Sequence, residues 1–592
     1  MHAEVVFTTR PELTGDLGMV ATTHWLASAA GMSVIERGGN AVDAAVTAGF
    51  VLQVVEPHMN GLGGDVPIIV AEPGRQPEVY CGQGTLPQAA TIEHYLDLGL
   101  SLVPGTGLLA AVVPGAFGAW TLLLEERGTW RLRDVLEPAI GYARKGFPLL
   151  GSAVEVIRSV ERLFREEWPT SAATYLSSGV PGTGERFNNP VLADTYVRIV
   201  TEAESRSASR EGQLQAARDV FYRGFVAEAI DAHSARPVMD SSGRRHRGLL
   251  SAADLAGWQP TVEAPVSVDY GELAVYKTGP WGQGPVLLQQ LQLLSGYDLA
   301  STEHLSTEWI HTVVECSKLA YADREAWYGD PAVVDVPIDV LLDRTYADER
   351  RQQVGDTASR DLRPGSPGGR APVLPSAPSE GVHPAAAGAG EPVAGATNGD
   401  TCHIDVVDRN GLMVSATPSG GWLQSSPVIA RLGFALGSRG QMSRLEAGLA
   451  SSMVGGSRPR TTLSPGIATR EGWPCLAFGT PGGDQQDQWA LGFLLAHLHH
   501  GLALQAAIDA PTFHSLHFPS SFYPRDCAPG EMVVEARVQA GVIAGLRARG
   551  HGVQVEADWA FSRMCAVSRD RRTGFLSAAA SPRGGQCYAV GR

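Results

Sequence analysis

The sequence predicts an α+β fold on three observations: a series of helical segments with recognisable caps and stops, short strands placed between them, and a hairpin in the last third of the chain. Residues 26–36 read as a helix stopped by Gly38-Gly39. Asn40 reads as the N-cap of a helix over 41–53, with Asp43 in the first turn, where an acid suits the helix dipole. Further helices are expected over 114–126, with Pro114 suited to the first helical position, and over 131–145. Others are expected over 213–230 (weakened at Gly224), 285–295 and 307–328. Strands are expected near 19–22, 66–71 and 266–276. Strands over 401–408 and 413–417 make a hairpin around Asn410-Gly411, a favoured tight-turn pair. Residues 474–478 read as a buried strand, 479–483 as a glycine turn and 488–497 as a helix, with His499-His500 ending it near Gly501. There is no internal repeat.

The 592 residues suffice for a large core and, as a soft prior, for several domains. Hydrophobic content of 44% and charged content of 18% are those of a globular protein. The net charge of −15 is spread without long single-sign runs, which argues against a nucleic-acid partner. Seven cysteines are scattered without a CxxC pair, and their odd number argues against a disulfide framework. No metal-ligand spacing stands out, so neither metal nor cofactor is expected. Residues 1–15 carry two acids and no apolar run, so no secretory signal is expected. The longest apolar segments break well short of a membrane span. The expected location is cytoplasmic, or periplasmic if the start of the gene has been truncated.

Residues 352–399 are crowded with Pro, Gly, Ala and Ser and contain no aromatic residue. Such a stretch cannot bury enough apolar surface to offset the entropy of ordering. It reads either as a plain interdomain linker or as a flexible lead that holds a scissile bond and then swings away. It runs into Asp400-Thr401-Cys402-His403. A cut between Asp400 and Thr401 would give Thr401 a free α-amine, whose ordinary pKa of roughly 7.7–8.0 lets it act as a base near neutral pH. A threonine hydroxyl activated by its own amine is a recognised nucleophile. Cys402 is a rival for that role after a cut one bond later.

The motif Gly38-Gly39-Asn40-Ala41-Val42-Asp43-Ala44-Ala45 is followed by Val54-Val55-Glu56-Pro57-His58 and a glycine-rich stretch over 61–64. Lys318-Leu319-Ala320-Tyr321-Ala322-Asp323-Arg324 comes next, with Gly329-Asp330-Pro331. Residues 401–408, 457–465 and Thr480-Pro481-Gly482-Gly483 complete the series. In this order the motifs resemble the γ-glutamyltransferases, a family of N-terminal nucleophile hydrolases, over most of the chain outside the linker. The resemblance implies an αββα four-layer sandwich and an inactive precursor that cuts itself at Asp400-Thr401, with Thr401 as catalytic nucleophile. It divides the chain into a large-subunit core (1–351), a flexible pre-cleavage linker (352–400) and a small subunit (401–592). The implied partners are these two subunits and a small-molecule amide, and a dimer of such heterodimers is compatible with it. The N–H groups of Gly482 and Gly483 would form the oxyanion hole, since a glycine turn before a helix is a natural anion site. Ser419 falls where the family has a second threonine bonded to the nucleophile's amine.

The resemblance weakens in the substrate pocket. Gln83 replaces the arginine that binds a substrate carboxylate. Gln441-Met442 is followed by Ser443-Arg444, so the acid that binds the substrate ammonium becomes a base. Thr461-Thr462 replace paired serines and keep the hydroxyls, and a family asparagine aligns with Gly421. A γ-glutamyl ammonium is therefore expected to face Arg444 without a counter-charge, and like charges in a closed pocket cost several kcal/mol. An anionic, amine-free acyl group is expected instead. Residues 418–426 and 483–489 resemble the branch containing oxamate amidohydrolases, which makes oxamate the first candidate. The other readings are a genuine γ-glutamyltransferase or glutathione hydrolase, a glutaryl-type cephalosporin acylase, and a non-catalytic binding protein that never cuts.

Overall fold

A computed structural model describes residues 7–376 and 401–592. Asp400 and residues 377–399 of the expected linker lie outside the described residues.

Local chemistry sets most helix starts. The Asn40 side chain accepts from the N–H groups of Val42 and Asp43, both at 3.0 Å, and Asp43 returns a bond from the Asn40 N–H at 3.0 Å. This reciprocal cap opens the helix Ala41–Val55, every residue of which is buried. Helices Trp25–Glu36, Leu132–Lys145, Pro285–Leu294 and Thr307–Trp327 lie within two residues of expectation. Three expectations are corrected. The segment 213–230 is two helices, Arg210–Arg223 and Phe225–Ser234, broken at Gly224. The helix expected from Pro114 starts at Ala116, because the Pro114 carbonyl accepts from the Tyr222 hydroxyl at 2.8 Å. The strand expected over 266–276 is a hairpin of Val266–Tyr270 and Leu273–Lys277, turning at Gly271 with φ of +60°.

Two antiparallel seven-stranded sheets dominate. In the first, the order is Tyr588–Gly591, Gly18–Thr22, Ile404–Asp408, Met413–Ala416, Val66–Ala71, Glu78–Gly82 and Thr261–Glu263. In the second it is Leu13–Gly15, Leu576–Ala580, Cys565–Arg569, Trp473–Gly479, Gly466–Arg470, Leu273–Lys277 and Val266–Tyr270. Strand alternation sorts the side chains. Cys402, Ile404 and Val406 join a core with helices Trp25–Glu36 and Ala41–Val55. Val407 and Met19 point the other way, toward Ala477 and Val567 of the second sheet. The outer face of that sheet, including Val275, Leu476 and Phe478, packs on helices Pro285–Leu294, Thr307–Trp327 and Gln486–His500. Both sheets mix strands from before residue 352 and after residue 400. The two segments therefore do not form separate domains.

The expected lead is docked over its first part. Arg363 pairs with Glu315 at 3.0 Å, the Gly365 N–H donates to Asp323 at 2.6 Å, and the Ser376 N–H donates to Glu446 at 2.9 Å. Low hydrophobicity fails to predict this because polar anchors hold these residues together with a few apolar ones, Val354, Leu362 and Leu374, that pack against the core. None of the seven cysteines is in a disulfide. No helix among the described residues is long and apolar enough to cross a membrane.

Replacing Asn40 by alanine removes both cap bonds and a third to the Arg127 carbonyl at 2.8 Å. Loss of such a cap costs about 1 kcal/mol. The expected outcome is a lower denaturant midpoint for Asn40→Ala, and an unchanged midpoint would contradict the role.

Candidate active site

The glycine-rich stretch after His58 exists for close approach. A Cβ on Gly61 would lie 2.4 Å from the Gly421 carbonyl oxygen, one on Gly63 2.1 Å from that of Ala435, and one on Gly64 2.1 Å from that of Ser419. Only glycine lets this segment press against the loop after Met413–Ala416. Asp65 then exchanges two backbone bonds with Ser419, at 2.9 and 3.0 Å. Its carboxylate receives a two-pronged bond from Arg439 at 2.9 and 3.0 Å. Ser419 is thereby fixed across from Thr401, with which it forms a β-bridge.

Thr401 is expected to begin a strand over 401–408, but the regular ladder starts at Ile404. Thr401 stands just before it, buried, with Oγ1 3.4 Å from Ser419 Oγ. Cys402 points to the opposite face. Its thiol donates to Glu56 Oε2 at 3.0 Å, a carboxylate that also accepts from Thr23 at 2.6 Å and from Gln586. Burial and the adjacent Glu56 push the Cys402 thiol well above its ordinary range. A thiol held protonated is a poor nucleophile, so the geometry disfavours Cys402 as the rival.

His403 shares the face of Thr401. Its ring bonds Thr417 Oγ1 at 2.9 Å and Asp405 at 3.0 Å, all three side chains being fully buried. A Cβ on Gly479 would sit 2.3 Å from His403 Cε1. Strand Trp473–Gly479 thus ends against His403, two residues along the chain from Thr401. In the turn that follows the strand, Gly482 has φ of +134° and Gly483 φ of +55°, backbone that favours glycine. Neither N–H donates a hydrogen bond among the described residues. A short 3-10 turn then leads into helix Gln486–His500.

Gln283, not singled out in the sequence, ties this turn to the pocket. Its N–H donates to the Thr461 carbonyl at 2.9 Å, its side-chain amide donates to the Gly483 carbonyl at 3.2 Å, and its Oε1 accepts from Arg324 at 2.9 Å. Thr461 Oγ1 is used locally, accepting from the Leu463 N–H at 3.3 Å. Thr462 Oγ1 is buried without a partner among the described residues. Gln83 is buried and reaches the Pro459 carbonyl at 3.4 Å, beside the same segment.

Arg444 is not the unanswered cation that its sequence position suggested. Its guanidinium lies 3.4 Å from Glu325, which also takes Arg460 at 2.7 Å and Arg324 at 3.0 Å. Glu325 is remote in sequence, and only folding brings it there. Burial alone would raise the Glu325 carboxyl, but Arg460, Arg324 and Arg444 hold it down at about 2. A depressed carboxyl stabilises the fold above its ordinary pKa of about 4.3, and this contribution is lost as pH falls toward 2. Glu325→Gln should lower stability at neutral pH by about 3–5 kcal/mol, the cost of stripping one partner from a buried pair. It should also flatten the decline in stability between about pH 4.5 and 2. Denaturant titrations across that range check both, and an unchanged slope would contradict the assignment.

Comparison with known proteins agrees with this geometry. The sequence profile of the gamma-glutamyltranspeptidase family matches residues 27–590. The glutathione hydrolase-like YwrD proenzyme of Bacillus subtilis (strain 168) is 31% identical, covering 96% of this chain and 98% of its own. The solved structure of LmbA2991HD is 54% identical with a TM-score of 0.93, covering 99% of this chain and all of that one. The cephalosporin acylase from Bacillus halodurans is 27% identical with a TM-score of 0.82, covering 100% of this chain and 98% of that one. Other curated relatives, 26–31% identical, are named glutathione hydrolase, acylase and oxamate amidohydrolase proenzymes, the last from Klebsiella pneumoniae. A match of this extent has one reading: the chain is an enzyme of the gamma-glutamyltranspeptidase family, whose members are N-terminal nucleophile hydrolase proenzymes acting on amides.

Proposed function

We propose that this chain is an autoprocessing threonine amidohydrolase that cleaves a small amide with an anionic, amine-free acyl group. The observation that carries the reading is the pair of buried hydroxyls, Thr401 Oγ1 and Ser419 Oγ, meeting at 3.4 Å just before strand Ile404–Asp408. In the processed enzyme the Thr401 amine takes the proton from Oγ1, with Ser419 orienting that amine. Oγ1 attacks the amide carbon, and the N–H groups of Gly482 and Gly483 receive the developing oxyanion. One such donor is typically worth about 2.7–4 kcal/mol of barrier. The leaving amine takes the proton, and water then releases the acyl group from Thr401. In this reading the three apolar clusters are the interfaces of an αββα sandwich. Residues 1–351 form the large-subunit core, 352–400 the pre-cleavage segment and 401–592 the small subunit.

The pocket side supports the acyl preference. Gln83 carries no charge for an α-carboxylate, and Arg444 and Arg460 crowd a nearby acid, Glu325. An incoming ammonium would compete with these guanidiniums for Glu325. A carboxylate meets Arg444, Arg460 and the free hydroxyl of Thr462. Oxamate is the first substrate to try.

Purified protein should separate on a denaturing gel into chains of 400 and 192 residues, the smaller beginning at Thr401. Thr401→Ala should remain a single chain. A new N-terminus at Cys402, or efficient cutting of the alanine variant, would overturn the assignment. The processed enzyme should show a higher kcat/KM on oxamate than on glutathione or a γ-glutamyl anilide, by about tenfold or more if one charge pair decides the difference. Turnover of glutathione at least as good as that of any amine-free amide would make the chain an ordinary γ-glutamyl enzyme.

A further inference from the structure

Four arginine side chains converge behind the Gly482-Gly483 turn. Arg324 comes from helix Thr307–Trp327. Arg444 and Arg460 come from the long connection before strand Gly466–Arg470, and Arg525 from the loop after strand Phe513–Ser515. All four are buried. Two carboxylates answer them: Glu325 takes Arg324, Arg444 and Arg460, and Asp484 takes Arg324. Arg525 donates only to carbonyl oxygens, those of Gln441 at 2.6 Å and Ser443 at 3.1 Å. Four guanidiniums against two carboxylates leave a net charge of +2 in a desolvated place, where unpaired charge is strongly disfavoured.

Three details point to a ligand rather than a structural brace. Arg525 Nη1 and Arg444 Nε are buried without partners among the described residues. Arg525 holds φ of +72°, a strained backbone for a non-glycine residue that persists only when its surroundings enforce it. A cleft of about 390 Å³, bounded by Gly482, Gly483, Asp484, Ser520 and Phe522, opens beside the cluster at the carboxylate that binds Arg324. Burial and the neighbouring Arg444 and Arg460 also push the Arg525 guanidinium well below its ordinary range, as expected where an anion is wanting.

We infer that the cluster binds a second carboxylate of the substrate, held by Arg444 and Arg525, so that the acyl group carries two free carboxylates. This rests on the amidohydrolase reading and sharpens it: oxamate carries one carboxylate and leaves one positive charge unanswered. A guanidinium fork matches a carboxylate in plane and in its two donors.

Calorimetric titration of the processed protein tests this without requiring turnover. Glutarate or succinate should bind once per heterodimer and about tenfold or more tighter than butyrate, a gain equivalent to about 1.4 kcal/mol. Arg444→Met and Arg525→Met should each collapse that preference to about twofold or less. Equal affinity for butyrate and the dicarboxylates would overturn the inference, as would two butyrates binding per heterodimer with that affinity. Inorganic phosphate binding tighter than every dicarboxylate would also overturn it. The wild-type comparison decides even if a variant fails to fold. Dicarboxylate binding with no amide turnover would instead sink the amidohydrolase reading and leave the anion site standing.

Discussion

The Asp65–Arg439 pair, with its two bonds at 2.9 and 3.0 Å, is the constraint on which the geometry around Thr401 depends. Burial raises the Asp65 carboxyl and Arg439 pulls it back. A buried pair of this kind adds little net stability, because desolvation offsets the attraction. Its contribution is positional. Asp65 exchanges backbone bonds with Ser419, and the glycines before it let the two segments touch. Arg439 locks the Asp65 side chain, Asp65 holds Ser419, and Ser419 meets Thr401.

A second buried polar layer runs beneath the first. Lys277 lies fully buried, 3.3 Å from Asp487 and bonded to Ser464 Oγ at 2.9 Å. Its positive charge also acts on Asp405, the partner of His403. These groups come from both sheets and from helix Gln486–His500. A side chain fixed by charge-assisted bonds has little freedom to drift, and a site that needs hydroxyls and N–H groups in register gains from that rigidity.

The interleaving of the chain has a consequence for a proenzyme. Strand Ile404–Asp408 pairs with Gly18–Thr22 on one side and Met413–Ala416 on the other. The C-terminal strand Tyr588–Gly591 adds to Gly18–Thr22 from beyond. Cleavage before Thr401 would leave two chains joined by ladder hydrogen bonds and three shared apolar clusters. A break in the backbone at that point costs the fold little, because the neighbouring strands already hold the new end.

The sequence by itself determined the elements whose signals are local. Asn40 and Asp43 fixed a helix start through bonds spanning three residues, and Gly501 marked a stop, whereas Gly224 showed as a weak point and not as the break it is. The ordered motifs identified the family and, through that resemblance, singled out Thr401, Ser419 and the Gly482-Gly483 turn as candidates. The delayed helix after Pro114 was missed because it is set by Tyr222, a partner elsewhere in the fold, whereas the hairpin at Gly271 turns locally on a glycine of positive φ inside what reads as one long strand. The docked residues before 377 were missed for a different reason: their polar anchors, Glu315, Asp323 and Glu446, lie elsewhere in the chain and add to the packing of a few apolar residues such as Leu362 and Leu374. Only the tertiary structure decided the electrostatics of the pocket. Arg444 looked like a lone cation, yet Glu325, Arg324, Arg460 and Arg525 lie between 16 and 120 residues away and share its surroundings. Charges act through space, at a strength set by burial, and neither separation nor burial can be read along a chain.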